Sequence, residues 1–226
     1  MMRQTIVKIV FTILILSFFQ SGFCDSLQLK NTTKKKLIVK GDQYYPPFEF
    51  LNETGEPDGF NVALFKIIAA DLRLDYGIEL GPWYEVRNEL AEAKIDLLLG
   101  VLVSKERAKY FEFGLPHSMM NFKVVTRKGY IVNNLENLKD KNVVVQKADL
   151  MNDFFTAQNI AKDLILAQDQ LEALRMVQSG KFEAAILGGY QAEHLIEKFK
   201  IKGLVIHTID IERRLMPWQL LKEMRN

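Results

Sequence analysis

The decisive stretch reads Tyr44-Tyr45-Pro46-Pro47-Phe48-Glu49-Phe50, followed by Gly55, Pro57 and Gly59-Phe60-Asn61-Val62. It follows a short β-like run, residues 37–40, and precedes an apolar helical pattern. Two consecutive prolines fix φ and hold Tyr45 extended, so the aromatic rings are displayed rigidly at the end of a strand. In an open α/β sheet, that end is where ligands bind. The same residues also read as a Pro-rich turn whose rings pack into the core. The rest of the chain decides between the two.

Beyond residue 36, strand-like and helix-like segments alternate. A helix is expected after Asp58-Gly59, with Phe60, Leu64, Ile67, Ile68 and Leu72 on one face. Strands are expected at residues 78–83, 95–101 and 122–126, with a helix at 85–92. After Arg127-Lys128-Gly129 comes a second series, with strands at 143–146, 165–167, 184–187 and 204–207. Helices begin at Met151, run over 170–178 and run over 190–199. Such alternation predicts parallel sheets flanked by helices. The polar run 133–142 marks a lobe boundary. The expected division is lobe 1 at 37–127 and lobe 2 at 128–212.

At 226 residues, with 48% apolar and 11% aromatic content, the chain suffices for one two-lobed domain or two small ones. The formal charge of +2 comes from Arg3 and Lys8; without them basic and acidic residues are equal, 28 each. A neutral body excludes the electrostatic footprint of a nucleic-acid binder. Arg3 and Lys8, the apolar run 9–19 and the polar exit 20–24 read as an export signal, too short to span a membrane. Residues 25–36 then form a linker, and the expected location is the periplasm. Cys24 is the only cysteine, so no disulfide is expected. Phe23 and Ser21 do not suit lipid attachment at Cys24, which favours cleavage by ordinary signal peptidase.

Several motifs recur in order: Tyr45-Pro46-Pro47-Phe48, Gly59-Phe60, Trp83 before Leu90, Ile95-Asp96, Ser104-Lys105-Glu106-Arg107, Phe113 with Pro116, Leu138-Lys139-Asp140-Lys141 before Val143-Val144-Val145-Gln146, and 179–185. On these the chain resembles family 3 of the bacterial extracellular solute-binding proteins, with the type II periplasmic-binding fold, over residues 36–212. Its wording is most similar to sensor domains fused to histidine kinases or diguanylate cyclases. The resemblance implies a non-catalytic monomer that closes two lobes on a small molecule. Its partner would be an ABC permease or a membrane signalling module. No cofactor, metal or nucleic acid is expected. The alternative on the same fold is a small-molecule lyase resembling cyclohexadienyl dehydratase, with Asp42 or Asp149 as its acid or base.

The resemblance places Arg107 as the clamp for a ligand carboxylate, which a guanidinium meets with paired donors. A surface arginine pairing with Glu106 or Glu112 is the bland reading. Tyr45 and Trp83 take the positions of aromatic walls, though both also suit a core. Asp42, at the mouth of the first strand, either accepts from a ligand amine or caps the turn. Gly100, Leu102, Asp149 and Gly188 complete the expected site. Three of these depart from the family pattern. Leu102 replaces a hydroxyl residue. Asp149 stands where hydroxyls usually meet the carboxylate, or is a helix N-cap. Gly188 replaces the acid that usually holds an α-amino group. Standard α-amino acids are therefore expected to bind poorly. His117, His194 and His207 are isolated, without metal-ligand spacing.

The resemblance ends near Arg213. Residues 213–226 read as an aberrant tail. Shifting the codons for Met216-Pro217-Trp218-Gln219 by one base would restore a family-like strand. The expectation is a frameshifted, truncated chain, lacking the return strand and C-terminal helices and folding poorly in its first lobe.

Overall fold

The computed structural model describes residues 36–221; the expected export signal, Cys24 and most of the expected linker lie outside them. The chain begins with β1 (Leu37–Asp42) and a small antiparallel sheet of β2 (Tyr44–Tyr45), β3 (Glu49–Leu51) and β4 (Pro57–Asp58). Helix α1 (Phe60–Asp71), β5 (Tyr76–Gly81), α2 (Trp83–Ala91), β6 (Leu97–Leu98) and β7 (Phe111–Phe113) follow. Next come β8 (Ser118–Arg127), β9 (Asn142–Gln146), α3 (Leu150–Gln158), β10 (Asp163–Ala167) and α4 (Gln170–Gln178). The last elements are β11 (Ala184–Gly188), α5 (Gly189–Lys198), β12 (Leu204–Met216) and β13 (Gln219–Leu221).

Two five-stranded sheets make the two lobes. Lobe 1 has the order β5-β1-β6-β13-β7, and lobe 2 the order β10-β9-β11-β8-β12. In each, alternate residues of the central strands face opposite layers, as the period-two pleat requires. Val143 and Val145 pack with Leu150, Met151 and Phe155 of α3. Val144, one residue out of phase, packs with Ala173, Leu174 and Val177 of α4 and Leu195 of α5. In lobe 1, Val39 and Leu97 meet Val62, Phe65 and Ala69 of α1, while Leu98 meets Val86 and Leu90 of α2.

The opening motif anchors α1. The amides of Phe60 and Asn61 donate to the carbonyls of Pro47 and Phe48, at 3.1 and 2.7 Å. Gly59 has φ 108°, and a Cβ there would lie 2.5 Å from the Phe48 carbonyl oxygen, so only glycine lets the chains approach. Asn61 Nδ2 donates to Glu49 Oε2 at 2.8 Å inside the protein. This buried bond sets the helix rotation.

Four expectations need correction. The buried face of α1 is Asn61, Val62, Phe65 and Ala69, while Phe60, Ile67 and Leu72 are exposed. Both stripes are apolar in sequence, and the Asn61–Glu49 bond selects the first. Trp83 opens α2 and does not end the preceding strand. The lobe boundary falls before β8, because Ser118–Arg127 belongs to the lobe 2 sheet, pairing with β11 and β12. The polar run at 133–142 instead holds a 3-10 turn, Leu135–Leu138, capped by Asn134.

The fourth correction concerns the tail. The strand expected at 204–207 continues to Met216, pairing with β8 past two register shifts. After Pro217 and Trp218, β13 enters the lobe 1 sheet between β6 and β7, with Gln219 opposite Leu98 and Phe113. The return strand is therefore present, and residues 213–221 are part of the fold. Pro217, which lacks a donor, sits at the break between the two strands where no ladder bond is lost. The segments at 114–118 and 216–219 carry the chain between lobes. They are bonded side by side, His117 N to Met216 O at 3.2 Å and Gly114 N to Trp218 O at 2.9 Å.

Candidate functional site

The C-terminal ends of β1 and β9, one from each lobe, point at each other. Asp42 ends β1 and Gln146 ends β9, and Gln146 Nε2 donates to Asp42 Oδ2 at 3.0 Å across the cleft. Around this bond lies a cavity of about 10 Å³, room for about one water molecule. Asp42, Tyr45, Glu49, Trp83, Gly100, Leu102, Arg107, Gln146 and Asp149 line it. Seven of the eight residues expected from sequence are thus brought together. Gly188 is not among them: a Cβ there would lie 2.0 Å from Gln191 Oε1 and 2.9 Å from Met120 Sδ, so the position is filled by its neighbours.

Sequence reading missed Glu49 and Gln146. Glu49 was visible as the acid closing the Tyr-Pro-Pro-Phe run. Gln146 was visible as the one polar residue ending an all-valine strand. Glu49 is fully buried, its Oε1 accepting from the Asp42 amide at 3.0 Å. Burial pushes its carboxyl up to about 8, against the pull of the Asn61 and Asp42 donors. Burial likewise raises Asp42 to about 7, although the Tyr44 amide (2.8 Å to Oδ1) and Gln146 both donate to it. Asp42 therefore caps the turn after β1. Gly100 closes the cavity wall with φ 62°, and a Cβ there would stand 2.7 Å from both Glu49 carboxylate oxygens.

Asp149 is the N-cap of α3, its Oδ1 accepting from the Leu150 amide at 2.6 Å. Burial raises its carboxyl too, with Arg107 opposing. Arg107 opens a 3-10 turn and is buried, 4% exposed. Its guanidinium is directed at lobe 2 and not at Glu106 or Glu112. Nη1 donates to Leu102 O at 3.2 Å, and Nη2 donates to Ala148 O at 3.2 Å and to Asp153 Oδ2 at 3.3 Å. Its Nε is buried without a partner among the described residues. Trp83 is buried against Val86, Leu90 and Ala148, and its Nε1 donates to Ala148 O at 3.0 Å. Among the described residues no cluster of three His, Cys, Asp or Glu could hold a metal, and no helix is long and apolar enough to cross a membrane.

Two α/β lobes joined by paired crossing segments, with strand ends meeting over a polar and aromatic cavity, fit one kind of sequence pattern in particular. The pattern of the bacterial extracellular solute-binding proteins, family 3, matches residues 37–180. The chain belongs to this family. Relatives include the L-cystine-binding protein TcyJ of Escherichia coli K12, 22% identical over 200 residues, covering 87% of this chain and 75% of the relative. The arginine-binding extracellular protein ArtP of Bacillus subtilis is 27% identical over 179 residues, covering 76% and 69%. Among solved structures, a histidine kinase sensor domain with similarity to periplasmic binding proteins superposes with a TM-score of 0.81. It is 26% identical, covering 84% of each chain. Family membership makes this a solute-binding protein of an extracellular family.

Proposed function

We propose that this chain is an exported domain that binds a small, carboxylate-bearing organic molecule between its lobes, in the periplasm. Arg107 supports this reading most directly. A buried guanidinium N–H without an acceptor among the described residues is costly, and Arg107 itself lines the cavity together with polar and aromatic groups. A ligand carboxylate oxygen would satisfy it with a charge-assisted bond. Tyr45 and Trp83 would wall the ligand, and Asp42 and Gln146 would meet its polar end. Because the closed cavity holds only about one water, the solute enters with the lobes apart, and hinge motion at the crossing segments admits it.

Of the sensor and transport-receptor roles, the likeness to a kinase sensor domain supports the sensor. In that role the partner is a membrane signalling module. An ABC permease is the partner in the other.

A thermal-shift screen tests the binding reading. The panel holds short mono- and dicarboxylates, L-arginine, L-cystine and the carboxamide of each, which removes only the carboxylate charge. A ligand at 100 times its Kd adds about 2.7 kcal/mol of stability. We expect a carboxylate to shift the melt and its amide not to. Amino acids should do less than carboxylates lacking an α-ammonium, because position 188 offers no carboxylate. A panel in which no carboxylate stabilises the chain overturns the reading.

A further inference from the structure

Three donors of lobe 1 converge on one oxygen of lobe 2. Trp83 Nε1, Arg87 Nη1 and Arg107 Nη2 all donate to the carbonyl of Ala148, at 3.0, 3.2 and 3.2 Å. A carbonyl oxygen has two lone pairs, so three donors, two of them cationic, exceed what a neutral acceptor usually draws. The Asp153 carboxylate, 3.3 Å from Arg107 Nη2 and 4.0 Å from Arg87 Nη2, supplies the balancing charge. The acceptor is held in place. Ala148 has φ 62°, its amide donates to Asn152 Oδ1 at 3.0 Å, and its methyl packs into the lobe 1 cluster with Trp83 and Val86. A non-glycine residue in the left-handed region is kept there only where its surroundings over-determine it. Next to it, Lys147 Nζ lies 3.7 Å from the Tyr84 ring centroid, again across the cleft.

We propose that Trp83 and Arg87, together with Arg107, fasten the closed cleft by gripping the Ala148 carbonyl, so that Trp83 and Arg87 are positioning residues for closure. Trp83 then acts through its indole N–H as much as through its ring. Arg87, on the outer side of the same helix, sets how far the lobes close without touching the cavity. The Lys147–Ala148 turn is the matching part in lobe 2, and Asn152 keeps its carbonyl aimed at lobe 1. This rests on the two-lobed binding reading but not on which solute is bound, and its test uses no ligand.

The test is a pulsed-dipolar distance measurement between spin labels on exposed sites of α2 and α3, using Glu85→Cys and Ala157→Cys with Cys24→Ser. The reference protein should show a short-distance population. Trp83→Phe, which keeps a ring but loses the donor, and Arg87→Gln should each raise the open-to-closed ratio roughly three- to tenfold. Arg87→Lys should recover part of the closed population. Asn152→Ala, which frees the Ala148 turn without touching any donor, should open the cleft as well. Thermal melts should stay close to the reference, separating closure from folding. Distributions of Trp83→Phe and Arg87→Gln that superimpose on the reference overturn the proposal. So does a reference protein with no short-distance population. Neither result would touch the carboxylate screen, and a failed screen would leave these distances unchanged.

Discussion

Asp42 and Glu49 lie seven residues apart on either side of the Pro-Pro turn, and the fold buries both carboxyls, Glu49 against the Asp42 amide and Asp42 against the Tyr44 amide and the Gln146 side chain. Each prefers its neutral form, Asp42 up to about 7 and Glu49 up to about 8, chiefly because burial disfavours charge. In the unfolded chain both ionise near their ordinary values around 4. Between those limits the folded state holds protons the unfolded state has released, so stability falls as pH rises. The slope is about 1.4 kcal/mol per pH unit for each proton held, and the loss levels off above about pH 8. Urea unfolding at pH 5.5 and 8.5 should therefore give a clearly lower stability at the higher pH. Glu49→Gln, a neutral isostere, should flatten part of that dependence; a profile identical to the parent would contradict the account of Glu49. At this scale the sequence was informative about residue type and less so about role. Asp42 and Asp149 were legible as caps, since short acids before a turn or helix accept from backbone amides. The partners of Arg107 were not legible, because Ala148 O and Asp153 are 41 and 46 residues away in sequence.

Among elements, β13 differs most from what the sequence suggests by itself. Three residues after a Pro-Trp pair carry no strand periodicity, yet they lie between β6 and β7 in the middle of the lobe 1 sheet. What places them is tertiary. Trp218 packs edge-on to Phe65 of α1 at 5.4 Å between ring centroids and lies 5.7 Å from His117. That contact seats the strand and covers the inner face of α1. Trp218→Ala should cost about 2–4 kcal/mol, a little under the roughly 3–5 kcal/mol for a fully buried large ring because Trp218 is half-buried. The loss should appear in urea unfolding as a shifted midpoint, and native-state hydrogen exchange should show lobe 1 amides opening first. A midpoint unchanged from the parent would mean β13 is held by its ladder bonds alone. Most other elements were legible because their periods are clean: residues 170–178 form a helix with the expected bounds, and the valine run at 143–146 is a buried central strand. The face of α1 was not, because both of its stripes are apolar and only the buried Asn61–Glu49 bond breaks the tie.

At the scale of the whole molecule, the chain is two sheets whose strand ends face one another, joined by two crossing segments that are bonded side by side. The two-lobed architecture was legible from the ordered motifs, and so were seven of the residues that the closed cleft brings together. The position of the lobe boundary was not, since β8 reads as a last strand of lobe 1 until its antiparallel partners β11 and β12 are seen. Arg107 is buried with its Nε lacking an acceptor among the described residues, and this is the feature on which the binding account turns. Calorimetric titration tests it most directly. The carboxylate that best stabilises the protein is titrated beside its own carboxamide, into the parent and into Arg107→Lys. The account predicts that the parent prefers the acid by about 1.5–3 kcal/mol, the worth of a hydrogen bond to a charged group, and that Arg107→Lys loses most of that preference while melting as before. Equal preference for acid over amide in the two proteins would contradict it.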